Sequence, residues 1–82
     1  MATTKAEIRE WLIQAKKEKA THLIVVCDTF SYEDYPVSVL HGENVREKLK
    51  KYDNSNMQSV MEVYDLNLDI EKQLNEDRAY HV

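Results

Sequence analysis

The sequence predicts a small α+β domain in which helices cover a three-stranded antiparallel sheet. Apolar residues recur every three to four positions in three segments, which is the spacing of amphipathic helices. One apolar run, residues 23–27, is too short and too rich in Val and Ile for a globular helix. This run is typical of a strand buried on both faces, so we expect it at the centre of the sheet.

The composition predicts one globular domain spanning residues 1–82. The chain has 82 residues, of which 43% are hydrophobic and 32% charged, and disordered chains are less hydrophobic than this. Its one cysteine cannot form an intramolecular disulfide and fits a reducing compartment. No apolar stretch has the length of a membrane span, and no signal-peptide core follows the N-terminus. We therefore expect a soluble, cytoplasmic protein that does not contact a membrane.

The first helix is predicted over residues 5–19 and the central strand over residues 22–28. Thr4 and Glu7 have the spacing of a capping box, which marks a helix start. An apolar stripe follows it, and lysines near the end complement the helix dipole. The stripe consists of Ile8, Trp11, Leu12 and Ala15. Within this stripe we expect Trp11 to anchor the helix on the sheet.

The rest of the chain predicts two more strands and two more helices. The second strand is expected over residues 35–40, at a sheet edge because Pro36 cannot donate to a ladder. The third strand, with imperfect alternation, is expected to place Met57, Met61 and Val63 on one face and Val60 and Tyr64 on the other. The remaining predicted elements are a helix over 43–52, the third strand over 57–64, a helix over 68–78 and a tail that either frays or docks.

The element order α-β-β-α-β-α predicts a sheet with the strand order 2-1-3. The first two strands form a hairpin, and a crossover through the second helix carries the chain to the far side of the central strand. A right-handed crossover places that helix on one face of the sheet. We expect the first and third helices to share its layer, which gives a two-layer domain.

No pattern in the sequence predicts an enzyme, a metal site or a cofactor. Cys27 could act as a nucleophile with His22 or His41 as its base, but a cysteine in an apolar run is more often a buried structural residue, and Asp28 would raise its pKa. The three histidines and the carboxylates show no zinc or calcium spacing. We therefore predict a protein without catalytic residues.

The loop over residues 28–36 is the best candidate for a binding site, because it combines aromatic rings with carboxylates. Aromatic residues with polar neighbours are favoured at protein interfaces. The alternative is that Phe30 and Tyr35 fold back on the core, which would leave only Tyr32 exposed. His41 is added because it precedes a helix N-terminus, where anions bind. The candidate binding residues are Asp28, Phe30, Tyr32, Glu33, Asp34, Tyr35 and His41.

Charge and composition together favour a binding protein. The net charge of −4 disfavours direct nucleic-acid binding. The first hypothesis is a non-enzymatic protein that contacts a protein partner, or a second copy of itself in a homodimer, through the loop 28–36 and the edge strand 37–40. The alternative is a binder that sequesters a nucleotide-like metabolite between the aromatic rings and the second helix. An acidic mimic of nucleic acid, acting through the acidic C-terminal residues, ranks last.

Two stretches of the chain resemble a recurring pattern in small uncharacterised proteins of bacteria and bacteriophages. They are ATHLIVVCDTFSYEDYPV, residues 20–37, and NMQSVMEVYDL, residues 56–66. The resemblance carries no assigned activity. It implies a small accessory protein, with a bacteriophage as one origin, and many proteins of this kind bind a host component.

Overall fold

The computed structural model describes residues 4–31, 33–52, 58–76 and 79–81. Three helices and three strands follow one another in the predicted order, and both outer strands pair antiparallel with the central strand. The α+β class and the sheet order 2-1-3 are thereby confirmed. The elements are α1 (Lys5–Lys17), β1 (Ala20–Asp28), β2 (Glu33–Leu40), α2 (Val45–Tyr52), β3 (Gln58–Asp65) and α3 (Ile70–Leu74).

Helix α1 begins as predicted and ends two residues early. The side chain of Thr4 accepts a hydrogen bond from the backbone N–H of Glu7, which caps the N-terminus. At the other end Lys19 has a φ of 62°, a left-handed conformation that stops the helix. Leu12 is fully buried, whereas Trp11 is only partly buried at the margin of the core, so Leu12 is the deeper anchor.

Strand β1 is the buried centre of the fold. Residues 23–26 are at most 1% exposed, as expected for a strand that is covered on both faces. Successive side chains of a strand point to opposite faces, so Leu23 and Val25 contact one core and Ile24 and Val26 contact another. The sheet therefore separates two apolar clusters.

The prediction of a two-layer domain is wrong about the second helix. The first core contains residues of α1 and α3, whereas the second core contains Leu49 of α2 together with the partly buried Val45 and Tyr52. Helix α2 therefore lies on the opposite face from α1 and α3. The physical reason is the apolar run itself, because a strand buried on both faces needs a helix on each of them.

An irregularity in β3 explains its imperfect alternation. The register shifts between Val25 and Val26, so that Val25 faces Glu62 while Val26 faces Val60, and Met61 is the extra residue. The shift brings Val60 and Val63 into the same core. The prediction that these two valines occupy opposite faces is therefore wrong, and Met57 lies outside the described residues.

The C-terminal tail docks on the outer edge of β3. The N–H of Val63 donates to the carbonyl of Ala79 at 2.9 Å, and the N–H of His81 donates to the carbonyl of Val63 at 3.0 Å. Ala79 is completely buried in the first core. Helix α3 is shorter than predicted and is capped by Asp69, whose side chain accepts from the N–H of Lys72.

Candidate functional site

The connection between β1 and β2 places Phe30 at the end of the hairpin. Asp28 Oδ1 accepts a hydrogen bond of 2.9 Å from the N–H of Phe30, a local turn that fixes the backbone. The ring is 77% exposed, more than any other large hydrophobic residue in the described part of the chain. A largely exposed aromatic side chain thus follows a turn that the Asp28 carboxylate closes. The alternative in which Phe30 folds back on the core does not describe this residue.

Three carboxylates accompany Phe30 at the hairpin tip, by which we mean the described residues 28–31 and 33–34. In the strand register Asp28 faces Glu33, and Cys27 faces Asp34. Glu33 is exposed, while Asp28 and Asp34 are half-buried. None of the ion pairs between described residues involves these three side chains. The tip therefore combines one exposed aromatic residue with three carboxylates that have no ion-pair partner among the described residues.

Tyr35 belongs to the core rather than to the tip. Its ring packs against the second core, and its hydroxyl oxygen accepts a hydrogen bond of 2.6 Å from Gln58 Nε2. Burial raises the pKa of Tyr35. Of the two rings expected to cap the core, Tyr35 does so and Phe30 does not. Tyr32 lies outside the described residues.

Cys27 is poorly suited to nucleophilic catalysis. It is half-buried, whereas the sequence favoured a buried structural cysteine. Its pKa is raised, first by burial and then by its hydrogen bond to Asp34. His22 lies five residues away on the same strand, about 16 Å at 3.3 Å per residue. The raised pKa disfavours the thiolate, and the histidine base considered for it is out of reach.

His41 is remote from the other predicted site residues. It follows Leu40 at the end of β2 that pairs with Ala20, whereas the tip lies at the end where Glu33 faces Asp28. Seven residues of extended strand separate Glu33 from Leu40, about 23 Å. The fold brings together Asp28, Phe30, Glu33 and Asp34, with Tyr35 beneath them, and separates His41 from this group.

The start of α2 offers little to an anionic ligand. Asn44 Oδ1 already accepts hydrogen bonds from the N–H groups of Arg46 and Glu47, at 2.9 and 3.3 Å. The pocket beside it is lined by Glu43 and Glu47 as well as by Lys48 and Lys51, and Lys48 is already paired with Glu43. This pocket also lies at the far end of β2 from Phe30, so the two halves of the expected metabolite site are apart.

The acidic C-terminal region is largely engaged within the fold. Glu71 forms two hydrogen bonds with Arg9, at 2.9 and 3.0 Å, and Glu76 lies 2.7 Å from the ring of His81. Asp69 caps α3. Carboxylates with intramolecular partners are poor mimics of a phosphate backbone, which weakens the nucleic-acid mimic hypothesis.

The outer edge of β2 has a structure that the sequence analysis did not identify. Pro36 faces Val25 and has no N–H, so this pair cannot be a hydrogen-bonded pair of the ladder. Because hydrogen-bonded pairs alternate, the backbone groups of residues 34, 36, 38 and 40 point away from β1. Pro36 could have revealed this edge from the sequence, because its missing N–H determines which backbone groups of β2 point away from β1.

Two side chains near the start of α2 close one end of that edge. Glu43 Oε1 accepts from the N–H of Leu40 at 2.8 Å, and the N–H of Glu43 donates to the carbonyl of Leu40 at 3.0 Å. Lys48 Nζ donates to the carbonyl of Ser38 at 3.2 Å and lies 3.1 Å from Glu43 Oε2. The hydrogen bond from the Leu40 N–H lowers the pKa of the Glu43 carboxyl, and the bond from Lys48 lowers it further.

Other classes of site find little support in the structure. In the described part of the chain, no three metal-ligating residues are grouped closely enough to hold an ion, and no helix is long and apolar enough to cross a membrane. Comparisons of the chain with protein families, with curated proteins and with solved structures give no match. The resemblance to bacterial and bacteriophage accessory proteins therefore stays an expectation.

Proposed function

We propose that this chain is a small non-enzymatic binding protein whose hairpin tip contacts a protein partner. The observation that carries the proposal is the 77% exposure of Phe30 on a backbone held by Asp28. An exposed aromatic ring is costly in water and is the kind of residue that dominates the energy of protein interfaces. Because its backbone is fixed by the turn, little conformational entropy is lost when the ring binds.

The charge around the ring narrows the class of partner. Asp28, Glu33 and Asp34 make the tip negatively charged, which favours encounter with a positively charged surface. A partner with a hydrophobic pocket bordered by Lys or Arg would match both features. The same negative charge disfavours nucleic acid, because it would repel the phosphates.

Along β2, we place the contact with the partner closer to the tip than the edge strand 37–40 that the sequence suggested. Val39 is completely buried, and the backbone of Leu40 is bonded to Glu43. Leu40 has an exposed side chain, but its backbone is closed by Glu43, whereas Pro36 is exposed and Asp34 and Ser38 are half-buried nearer the tip. We therefore place the partner on the tip and the adjoining half of β2.

The test is affinity capture with two matched variants. Immobilised wild type, Phe30→Ala and Leu68→Ala chains are exposed to a bacterial lysate, and the retained proteins are quantified by mass spectrometry. Leu68 is 51% exposed and follows the end of β3 that faces His22. The Leu68→Ala substitution therefore removes a comparable apolar side chain at the opposite end of the sheet from the tip.

We expect Phe30→Ala to reduce recovery of a specific partner at least tenfold, which corresponds to about 1.4 kcal/mol and is ordinary for an aromatic hot spot. Leu68→Ala should retain that partner. Equal recovery by all three chains, or no protein enriched by the wild type, would contradict the proposal.

A further inference from the structure

We infer that the partner adds an extended, positively charged segment as a new strand on residues 34–38 of β2, here called the open edge. This inference rests on the proposed function, since the open edge adjoins the hairpin tip. It specifies the conformation and the chemistry of the partner, which the exposed ring alone does not.

The backbone of the open edge carries unused hydrogen-bonding groups. The outward groups are the N–H and C=O of Asp34, the C=O of Pro36 and the N–H and C=O of Ser38, and of these only the carbonyl of Ser38 has a partner among the described residues, Lys48. Four groups in a continuous row remain available. Such a row is what an added strand pairs with.

Other positions on the sheet edges are closed by the chain itself. On the outer side of β3, Gln73 bonds both backbone groups of Asp65, at 2.8 and 2.9 Å, and the tail bonds both backbone groups of Val63. On β2, Glu43 closes the edge at Leu40. The open edge is thus bounded by Glu43 at one end and by the hairpin tip at the other.

A second copy of the chain fits this edge poorly. Self-pairing about a two-fold axis makes residues 34–38 of one copy face the same residues of the other. Pro36 supplies no donor, and the carbonyl of Ser38 is already occupied. Whichever residue lies on the two-fold axis, the two copies therefore form at most two hydrogen bonds between residues 34–38. When Asp34 lies on the axis, the pairing also brings the Asp34 carboxylates of the two copies face to face. An unrelated strand can use all four groups.

The side chains of the open edge indicate the sequence of the added strand. Tyr35 and Val37 contribute to the second core, so an added strand would extend that face with apolar residues. On the other face lie Asp34, Pro36 and Ser38, where a Lys or Arg would pair with Asp34. The expected segment alternates apolar and basic residues.

The test uses synthetic peptides and the full chain labelled with ¹⁵N. The probe is an acetylated and amidated octapeptide of alternating Lys and Val, and the control replaces every Lys by Glu. We expect the Lys–Val peptide to shift the amide resonances of residues 34–38 and to slow hydrogen exchange of the Ser38 N–H at least tenfold. The Glu–Val peptide should have no such effect.

Two N-methylated versions of the probe distinguish strand addition from charge attraction. One carries N-methyl groups on every Val and the other on every Lys. Only alternate N–H groups of an added strand face the sheet, so one isomer should lose binding at least tenfold and the other should retain it. Equal binding by both isomers, or resonance shifts centred away from residues 34–38, would overturn the inference.

A pair of variants tests the same groups on the protein. Ser38→Pro removes the outward N–H and should weaken the Lys–Val peptide at least tenfold, while Ser38→Ala keeps the N–H and should bind normally. If Ser38→Pro unfolds the chain, the N-methylated peptides still decide the question. Protection of the Ser38 N–H that rises with protein concentration, without peptide, would instead identify a second copy as the occupant and overturn the inference.

The two proposals fail separately. A chain that loses its partner on Phe30→Ala but ignores all peptides would keep the proposed function and refute strand addition. A chain that binds the Lys–Val peptide on the open edge but retains every partner after Phe30→Ala would refute the role of the tip and keep strand addition.

Discussion

Gln73 closes the outer edge of β3 by bonding both backbone groups of Asp65. Its Oε1 accepts from the N–H of Asp65 at 2.8 Å, and its Nε2 donates to the carbonyls of Asp65 and Asp69 at 2.9 and 3.1 Å. The side chain is 2% exposed and uses its acceptor and both donors. A polar residue is thus buried without an unsatisfied group, and it joins α3 to the sheet.

Replacing Gln73 by Glu should destabilise the fold by about 2–4 kcal/mol, because a buried carboxylate would face two carbonyl oxygens that have lost their donor. Chemical denaturation at neutral pH measures the change. The control is Gln14→Glu, an exposed position on α1, which should stay within about 0.5 kcal/mol of the wild type. Equal effects of both substitutions would contradict this role of Gln73.

Lys19 is the residue with a left-handed backbone that ends α1, and its φ is 62°. Residues with a Cβ are strained in this conformation, whereas Gly adopts it readily. We expect Lys19→Gly to raise the free energy of unfolding by about 1 kcal/mol. Lys17→Gly, in the last turn of the helix, should instead lower it by about 1 kcal/mol. Thermal melting of the two variants would show shifts of opposite sign.

Tyr64 makes the stability of the fold sensitive to high pH. It is 2% exposed, and its pKa is raised well above 10.0, first by burial and then by the nearby carboxylate of Glu62. The folded state therefore holds the neutral phenol. The resulting stability is complete below pH 10, where the unfolded chain is also neutral, and is lost as the pH rises from there towards the folded pKa.

Tyr64→Phe should remove this pH dependence. At pH 7 the variant should be less stable by about 1 kcal/mol, because it lacks the hydrogen bond to Glu62. Between pH 10 and 12 the difference should shrink or reverse, since Phe cannot ionise in the unfolded chain. Urea denaturation at both ends of this range measures the difference, and a constant gap would refute the explanation.

Local sequence patterns predicted the elements, and they did so because the elements depend on local chemistry. The Thr4 cap, the apolar spacing of the helices and the edge position required by Pro36 all act over a few residues. The faces of the sheet were harder to predict. Met61 shifts the register of β3 by one residue, and no local signal marks that position.

The candidate site was predicted only in part, because some of its features depend on local sequence and others on tertiary contacts. The clustering of Asp28, Phe30, Glu33 and Asp34 follows from a hairpin, which sequence spacing indicates. Whether Phe30 or Tyr35 turns inward depends on tertiary contacts, such as the bond between Tyr35 and Gln58. The closure of an edge by a distant side chain such as Gln73 is likewise invisible in a local pattern.

Glu43 limits how far the open edge extends, and its removal should lengthen that edge. Glu43→Ala deletes the acceptor of the Leu40 N–H and the ion partner of Lys48. We expect hydrogen exchange of the Leu40 amide to accelerate at least tenfold. The control is Glu47→Ala, which removes an equal charge from α2 but leaves the bond to Leu40 intact.

The effect of Glu43→Ala on stability should also depend on pH. The pKa of Glu43 is lowered from its ordinary 4.5 by the Leu40 backbone and by Lys48, so the folded state favours the ionised carboxylate. Its contribution is complete above pH 4.5 and is lost as the pH falls through the folded pKa. The stability difference between wild type and variant should therefore be largest near neutral pH and should disappear under acid conditions. Denaturation curves from pH 7 to pH 2 measure it, and a difference that grows on acidification would show that the carboxylate does not hold this edge.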